Sequence, residues 1–91
     1  MTPRFKLGQM VATPGALEAL EGSGETPLDL IKRHVSGDWG DVCADDAEAN
    51  EAALKDGDRI LSVYHTSKGE KVYVITEWDR SATTVLLASE Y

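Results

Sequence analysis

From Ile60 onward the chain is written in period two. Ile60, Ser62, Tyr64 and Thr66 alternate with Leu61, Val63 and His65. Val72, Val74, Thr76 and Trp78 alternate with Tyr73, Ile75 and Glu77, and a third run spans residues 83–87. Ser67-Lys68-Gly69-Glu70 joins the first two runs and Asp79-Arg80-Ser81 the last two. Side chains alternate across a strand, and turns this short return the chain beside itself. The pattern predicts a three-stranded antiparallel meander with one face packed and the other facing water.

The rest of the chain must cover the packed face. Phe5, Leu7, Gln9 and Val11 alternate with Lys6, Gly8 and Met10, which predicts a short first strand. Thr13-Pro14 and Thr26-Pro27 are two copies of one helix-start signal, a capping hydroxyl before a proline at the first helical position. The first helix presents Ala16, Leu17 and Leu20 and ends at Gly22-Ser23-Gly24. The second presents Leu28, Ile31 and Val35, with Leu30 and His34 beside them, and stops at Gly37. In a third helix Asp45 and Glu48 have capping-box spacing, and the segment runs to about Lys55 before Gly57. Its apolar face is only Ala49, Ala52, Ala53 and Leu54, so it should be the most exposed helix. The fold class expected is α+β, one domain over residues 1–91: a short N-terminal strand, three helices, then the meander packed against them.

Charge is segregated along this order. Between Asp38 and Asp58 stand eight acids and one base, Lys55; the remaining residues carry equal numbers of each sign, so the net −7 belongs to this one segment. A partner found by electrostatic attraction should therefore be basic. Direct nucleic-acid binding is disfavoured, because Lys32-Arg33 is the only adjacent basic pair and phosphate neutralisation needs clustered cations. A 42% hydrophobic share argues against disorder, and no apolar run approaches the roughly 20 residues of a membrane span. The opening Met-Thr-Pro-Arg-Phe-Lys lacks a signal-peptide core, and Cys43 is the only cysteine, so a cytoplasmic protein without internal disulfides is expected. A domain this small leaves apolar surface that a second copy or a partner could cover, which makes a homodimer one expectation.

Four stretches carry a resemblance: Gln9-Met-Val-Ala-Thr-Pro-Gly-Ala-Leu-Glu-Ala-Leu, Arg33-His-Val-Ser-Gly-Asp-Trp-Gly-Asp, Arg59-Ile-Leu-Ser-Val-Tyr-His-Thr, and Val74-Ile-Thr-Glu-Trp-Asp-Arg-Ser-Ala-Thr-Thr-Val-Leu-Leu, with a terminal Glu90-Tyr91. In these the chain resembles a family of short bacterial proteins labelled hypothetical or plasmid-related, some of them labelled as type I restriction-modification subunits. The resemblance implies residence on a mobile element and no established activity. Trp78 stands where the family more often has a small residue, and Ala88 where it commonly has proline.

Candidate chemistry is sparse. Asp38-Trp39-Gly40-Asp41 sets two acids around an aromatic and could capture a basic group, although Trp39 equally suits a core filler. Asp38, Asp41, Asp45 and Asp46 match no calcium-loop spacing, and Asp45 and Asp46 already suit a helix N-terminus. His34, Cys43 and His65 fit no zinc pattern; His34 reads as a helix-end residue favoured as a cation, and Cys43 as a small apolar filler. Ser62, His65 and Asp79 make a triad only on paper, and no phosphate loop occurs. Asp79 and Arg80 should pair across their turn, or Arg80 should reach a carboxylate of the acidic segment.

The expectation is therefore a non-enzymatic interaction module without cofactor or metal, presenting Asp38, Trp39, Asp41, Asp45, Asp46, Glu48 and Arg80 to a basic protein surface. A small-molecule or metal site on His34, Asp38 and Asp41 is the alternative. A mimic of nucleic-acid charge that inhibits a defence nuclease is a further one.

Overall fold

The computed structural model describes residues 3–91; Met1 and Thr2 lie outside the described residues. The elements are β1 (Gln9–Ala12), α1 (Pro14–Gly22), α2 (Pro27–Val35), α3 (Ala44–Asp56), β2 (Ile60–His65), β3 (Lys71–Thr76) and β4 (Ala82–Leu87), followed by a 3-10 turn over Ala88–Glu90. The protein is α+β, three helices and one four-stranded sheet in the order β1-β4-β3-β2. β2, β3 and β4 are the expected antiparallel meander, but β1 lies parallel against β4, so the sheet is mixed. No helix among the described residues is long and apolar enough to cross a membrane.

The two Thr-Pro signals work as the sequence implies. The Thr13 hydroxyl accepts from Ala16 N, and Thr26 and Asp29 form a reciprocal capping box. The third start does not. α3 begins two residues earlier than expected, its N-cap is Cys43 rather than Asp45, and no side chain caps it; Asp45 and Glu48 are exposed helical residues rather than a capping box. Cys43 is itself exposed, not a filler. Because α3 starts at Ala44, its inner face is Ala47, Asn50, Ala53 and Leu54, while Ala49 and Ala52 face out. On the other helices Leu17 and Leu28 are also exposed, and Ala16, Leu20, Leu30, Ile31, His34 and Val35 are buried.

The register sets the two sheet faces. Ile60, Ser62 and Tyr64 share the helix-covered face with Val72, Val74, Thr76, Thr83 and Val85. Leu20, Leu30, Ile31 and Tyr64 pack with the valines into the main core, and Trp39, Ala53 and Ile60 form a second cluster under α3. The opposite face is not the polar one expected. It carries Leu61, Val63, Tyr73, Ile75 and Leu86, with Val63 and Ile75 buried among their own neighbours and Tyr91 folded edge-on to Tyr73.

The outer edge of β2 is sealed. Asn50 Nδ2 donates to Leu61 O and Asn50 Oδ1 accepts from Leu61 N, so one amide takes the place of a neighbouring strand. One step on, Val63 N donates to Trp39 O and Val63 O accepts from Asp41 N. Gly40 makes this possible: its φ is +72°, and a Cβ there would stand 2.0 Å from Val63 O.

Candidate functional site

The 38–41 loop is held from four sides. Tyr64 donates its hydroxyl to Asp38 O at 2.6 Å, and burial pushes that phenol up to about 12. Asp38 Oδ2 accepts from Arg33 Nε at 2.7 Å and its other oxygen accepts from Gly40 N; the Arg33 bond is the main reason its carboxyl sits below the usual range. Asp41 pairs with His65 Nδ1 at 2.7 Å. Trp39 is 7% exposed, stacked with Phe5 and edge-on to His34. Its indole N–H donates to Glu51 Oε2 at 3.0 Å, and Glu51 is clasped by both terminal nitrogens of Arg4. The Arg4 bond, then the indole bond, lower the Glu51 carboxyl. Trp39 is thus a structural plug, and the Arg4–Glu51 pair that holds it is not legible in the sequence, because 47 residues separate the two.

His34 is not the helix-end cation expected. It is 0% exposed, with Nδ1 2.6 Å from Ser62 Oγ and Nε2 2.9 Å from Thr76 Oγ1. Thr76 Oγ1 lies 2.7 Å from Thr83 Oγ1, which donates to Leu7 O. That last carbonyl can only accept, so the line runs one way: Thr83 gives its proton to Leu7 O, Thr76 gives its proton to Thr83, and His34 Nε2–H donates to Thr76. Burial, reinforced by the positive charge of Arg80, lowers the ring to about 4. At neutral pH Nδ1 therefore carries no proton and accepts from Ser62 Oγ.

The three residues of the alternative site, His34, Asp38 and Asp41, each have a partner of their own. His34 is sealed in the core while Asp38 and Asp41 pair at the surface with Arg33 and His65. Among the described residues no group of three or more His, Cys, Asp or Glu is arranged to hold a metal ion. The paper triad also separates: Ser62 bonds His34, His65 bonds Asp41, and Asp79 accepts from Ser81 N in its own turn.

Arg80 does reach the acidic segment, but through its backbone. Nη2 donates to Ala53 O at 3.0 Å and Nη1 to Asp58 O at 2.7 Å, with Glu77 O and Trp78 O also accepting from Nη1. No Arg80–Asp79 ion pair forms among the described residues. The side chain that the sequence offers to a partner is instead a clamp between the β3–β4 turn and the end of α3. It holds a positive φ of 59° to do so.

Once Asp38, Asp41 and Glu51 are paired internally, Asp45, Asp46, Glu48, Asp56 and Asp58 remain exposed and outside any ion pair among the described residues. On α3, Asp45, Glu48, Ala49, Ala52 and Asp56 follow helical spacing and share the outer face. Trp78 is 65% exposed, and Arg80 ties its backbone carbonyl and that of Asp58, just beyond α3, to one nitrogen. In the sequence the only signal for an exposed Trp78 is its aromatic bulk beside the Asp79-Arg80 turn. The chain matches no protein-family model, and it is significantly similar to no curated protein and to no solved structure.

Proposed function

We propose that this protein is a non-enzymatic docking module that binds a basic protein segment on the outer face of α3, with Trp78 as its aromatic anchor. The observation that carries this reading is the Arg80 clamp: one nitrogen holds the carbonyl of Trp78, whose indole is exposed, together with that of Asp58 beside the acidic end of α3. A Lys or Arg of the partner can lie over that indole while neighbouring cations meet the carboxylates.

Asp45 and Asp46 suit the first turn of α3, but Asp56 sits at the negative end of the helix dipole, where folding alone does not favour an acid. Ala49 and Ala52 leave the face between them low, so a partner backbone can approach closely. The resemblance to plasmid-related bacterial proteins supports a mobile-element origin, and the single cysteine supports a cytoplasmic setting.

The test is affinity capture from the bacterial host with three baits. These are the wild type, Asp45→Lys/Asp46→Lys/Glu48→Lys, and a control with the same change in net charge, Glu18→Lys/Glu21→Lys/Glu70→Lys. The reading expects a basic protein captured by wild type and control but lost by the first variant. Equal loss with both variants would reduce the effect to net charge and end the proposal.

A further inference from the structure

The two edges of the sheet are treated differently, and that difference points to a second binding site. The β2 edge is closed by Asn50 and the 39–41 loop, as described above. The β1 edge is open. In the parallel ladder with β4, Gln9 N donates to Ser81 O and Thr13 N to Val85 O, so the alternate residues Met10 and Ala12 turn their backbone N–H and C=O groups away from the sheet. An open edge is a template for another strand, and proteins usually blunt it.

Beside this edge runs an open groove of about 600 Å³, between residues 3–10 and the outer side of α2. Phe5, Leu7, Met10, Leu28 and Ile31 give it an apolar lining, and Met10 and Leu28 are at least half exposed. Its charged residues are Lys6 and Lys32, and no acid lines it, in a chain whose acids outnumber its bases. Among the described residues neither lysine is in an ion pair. Met10 belongs to both features: its backbone faces the open edge, and its side chain lies on the helix-covered face with Ala12, against the groove.

We propose that β1 and this groove form a strand-addition site for an extended peptide segment of a partner protein in which apolar residues alternate with Asp or Glu. The peptide backbone pairs with Met10 and Ala12. Alternate apolar side chains enter the groove, and the acids meet Lys6 and Lys32. The site lies on the sheet edge opposite α3 and requires nothing of the basic-partner reading.

The probe is a display library of random octapeptides panned on the full chain. Enriched peptides are then titrated against wild type, Met10→Pro and Lys6→Glu/Lys32→Glu. Proline at position 10 removes an N–H that the β1–β4 ladder does not use, so it blocks an added strand and spares the native sheet. The proposal expects peptides alternating apolar and acidic residues, with affinity at least tenfold weaker for each variant. Should Met10→Pro fail to fold, the lysine double variant decides alone. Absence of enrichment, or binding that the variants leave unchanged, overturns the proposal. So does sedimentation showing a wild-type dimer that Met10→Pro dissolves, since the occupant would then be a second copy of this chain.

Discussion

Arg80 Nη2 donates to the carbonyl of Ala53 at 3.0 Å, across 27 residues of sequence, and so adds a second donor to an acceptor that already takes the Gly57 N–H at the end of α3. The same guanidinium lies 5.8 Å from the Phe5 ring centroid, over the cluster that holds Trp39. One side chain thus fixes the β3–β4 turn, the last turn of the acidic helix and the position of Trp78.

Arg80→Gly relieves the positive φ and removes the clamp at once, so the sign of its effect tells which is larger. It should destabilise the protein by about 2 kcal/mol, the range for hydrogen bonds from a charged donor. A denaturant titration measures this. A stability equal to or above wild type would mean that backbone strain, not the clamp, dominates at this position.

His34 titrates near 4 in the folded protein and near 6.5 when unfolded. Between those values the unfolded chain binds more protons, so the folded state loses stability as pH falls from 6.5 to 4. The loss should total about 3 kcal/mol from this residue. His34→Gln cannot titrate and should flatten that part of the pH–stability curve. Asp38 and Glu51, whose carboxyls are held below their usual range, lose their contribution only at lower pH. A wild-type curve flat from pH 6.5 to 4.5 would contradict the neutral, buried ring.

Trp39→Ala should lower stability by about 3–5 kcal/mol, through the lost ring and the cavity it leaves. Trp39→Phe keeps most of the packing and loses the bond to Glu51, so it should cost about 1–2 kcal/mol. Thermal melts of the two variants check the order. An unchanged melting temperature in the alanine variant would show that the ring is not part of the core.

Cys43 occupies a cap position without using it. Cys43→Ser supplies a hydroxyl to the free N–H groups of α3 and should raise stability by about 1 kcal/mol. The exposed wild-type thiol should react fully with a thiol reagent in the native state. Protection until unfolding would contradict the exposed cap.

Local pattern made most elements legible, and long-range pairing accounts for what it missed. The period-two runs announced β2, β3 and β4, and the Thr-Pro pairs announced α1 and α2, because those signals act within four residues. The parallel docking of β1 on β4 joins Gln9 to Ala82, and no local rule fixes that register. Asn50 sealing Leu61, Arg4 holding Glu51 and the His34–Thr76–Thr83 line depend on where the sheet places distant residues. At the candidate site the charge segregation was visible at once. Which acids are spent on internal pairs was not, because Arg4, Arg33 and His65 all lie outside the acidic stretch. Arg80 matters for its reach to the carbonyls of Ala53 and Asp58 rather than for its charge alone.

The central claim is that the outer face of α3 and Trp78 bind cationic peptide. The most direct measurement titrates an arginine-rich octapeptide into the wild type, Trp78→Ala, the Asp45→Lys/Asp46→Lys/Glu48→Lys variant and the charge-matched Glu18→Lys/Glu21→Lys/Glu70→Lys control, at low and at physiological salt. The account predicts binding that weakens with salt, as exposed charges are screened over about 8 Å. It also predicts affinity at least tenfold lower for the Trp78 and α3 variants and nearly unchanged for the control. Binding that ignores salt, or that the control weakens as much as the α3 variant, would contradict it.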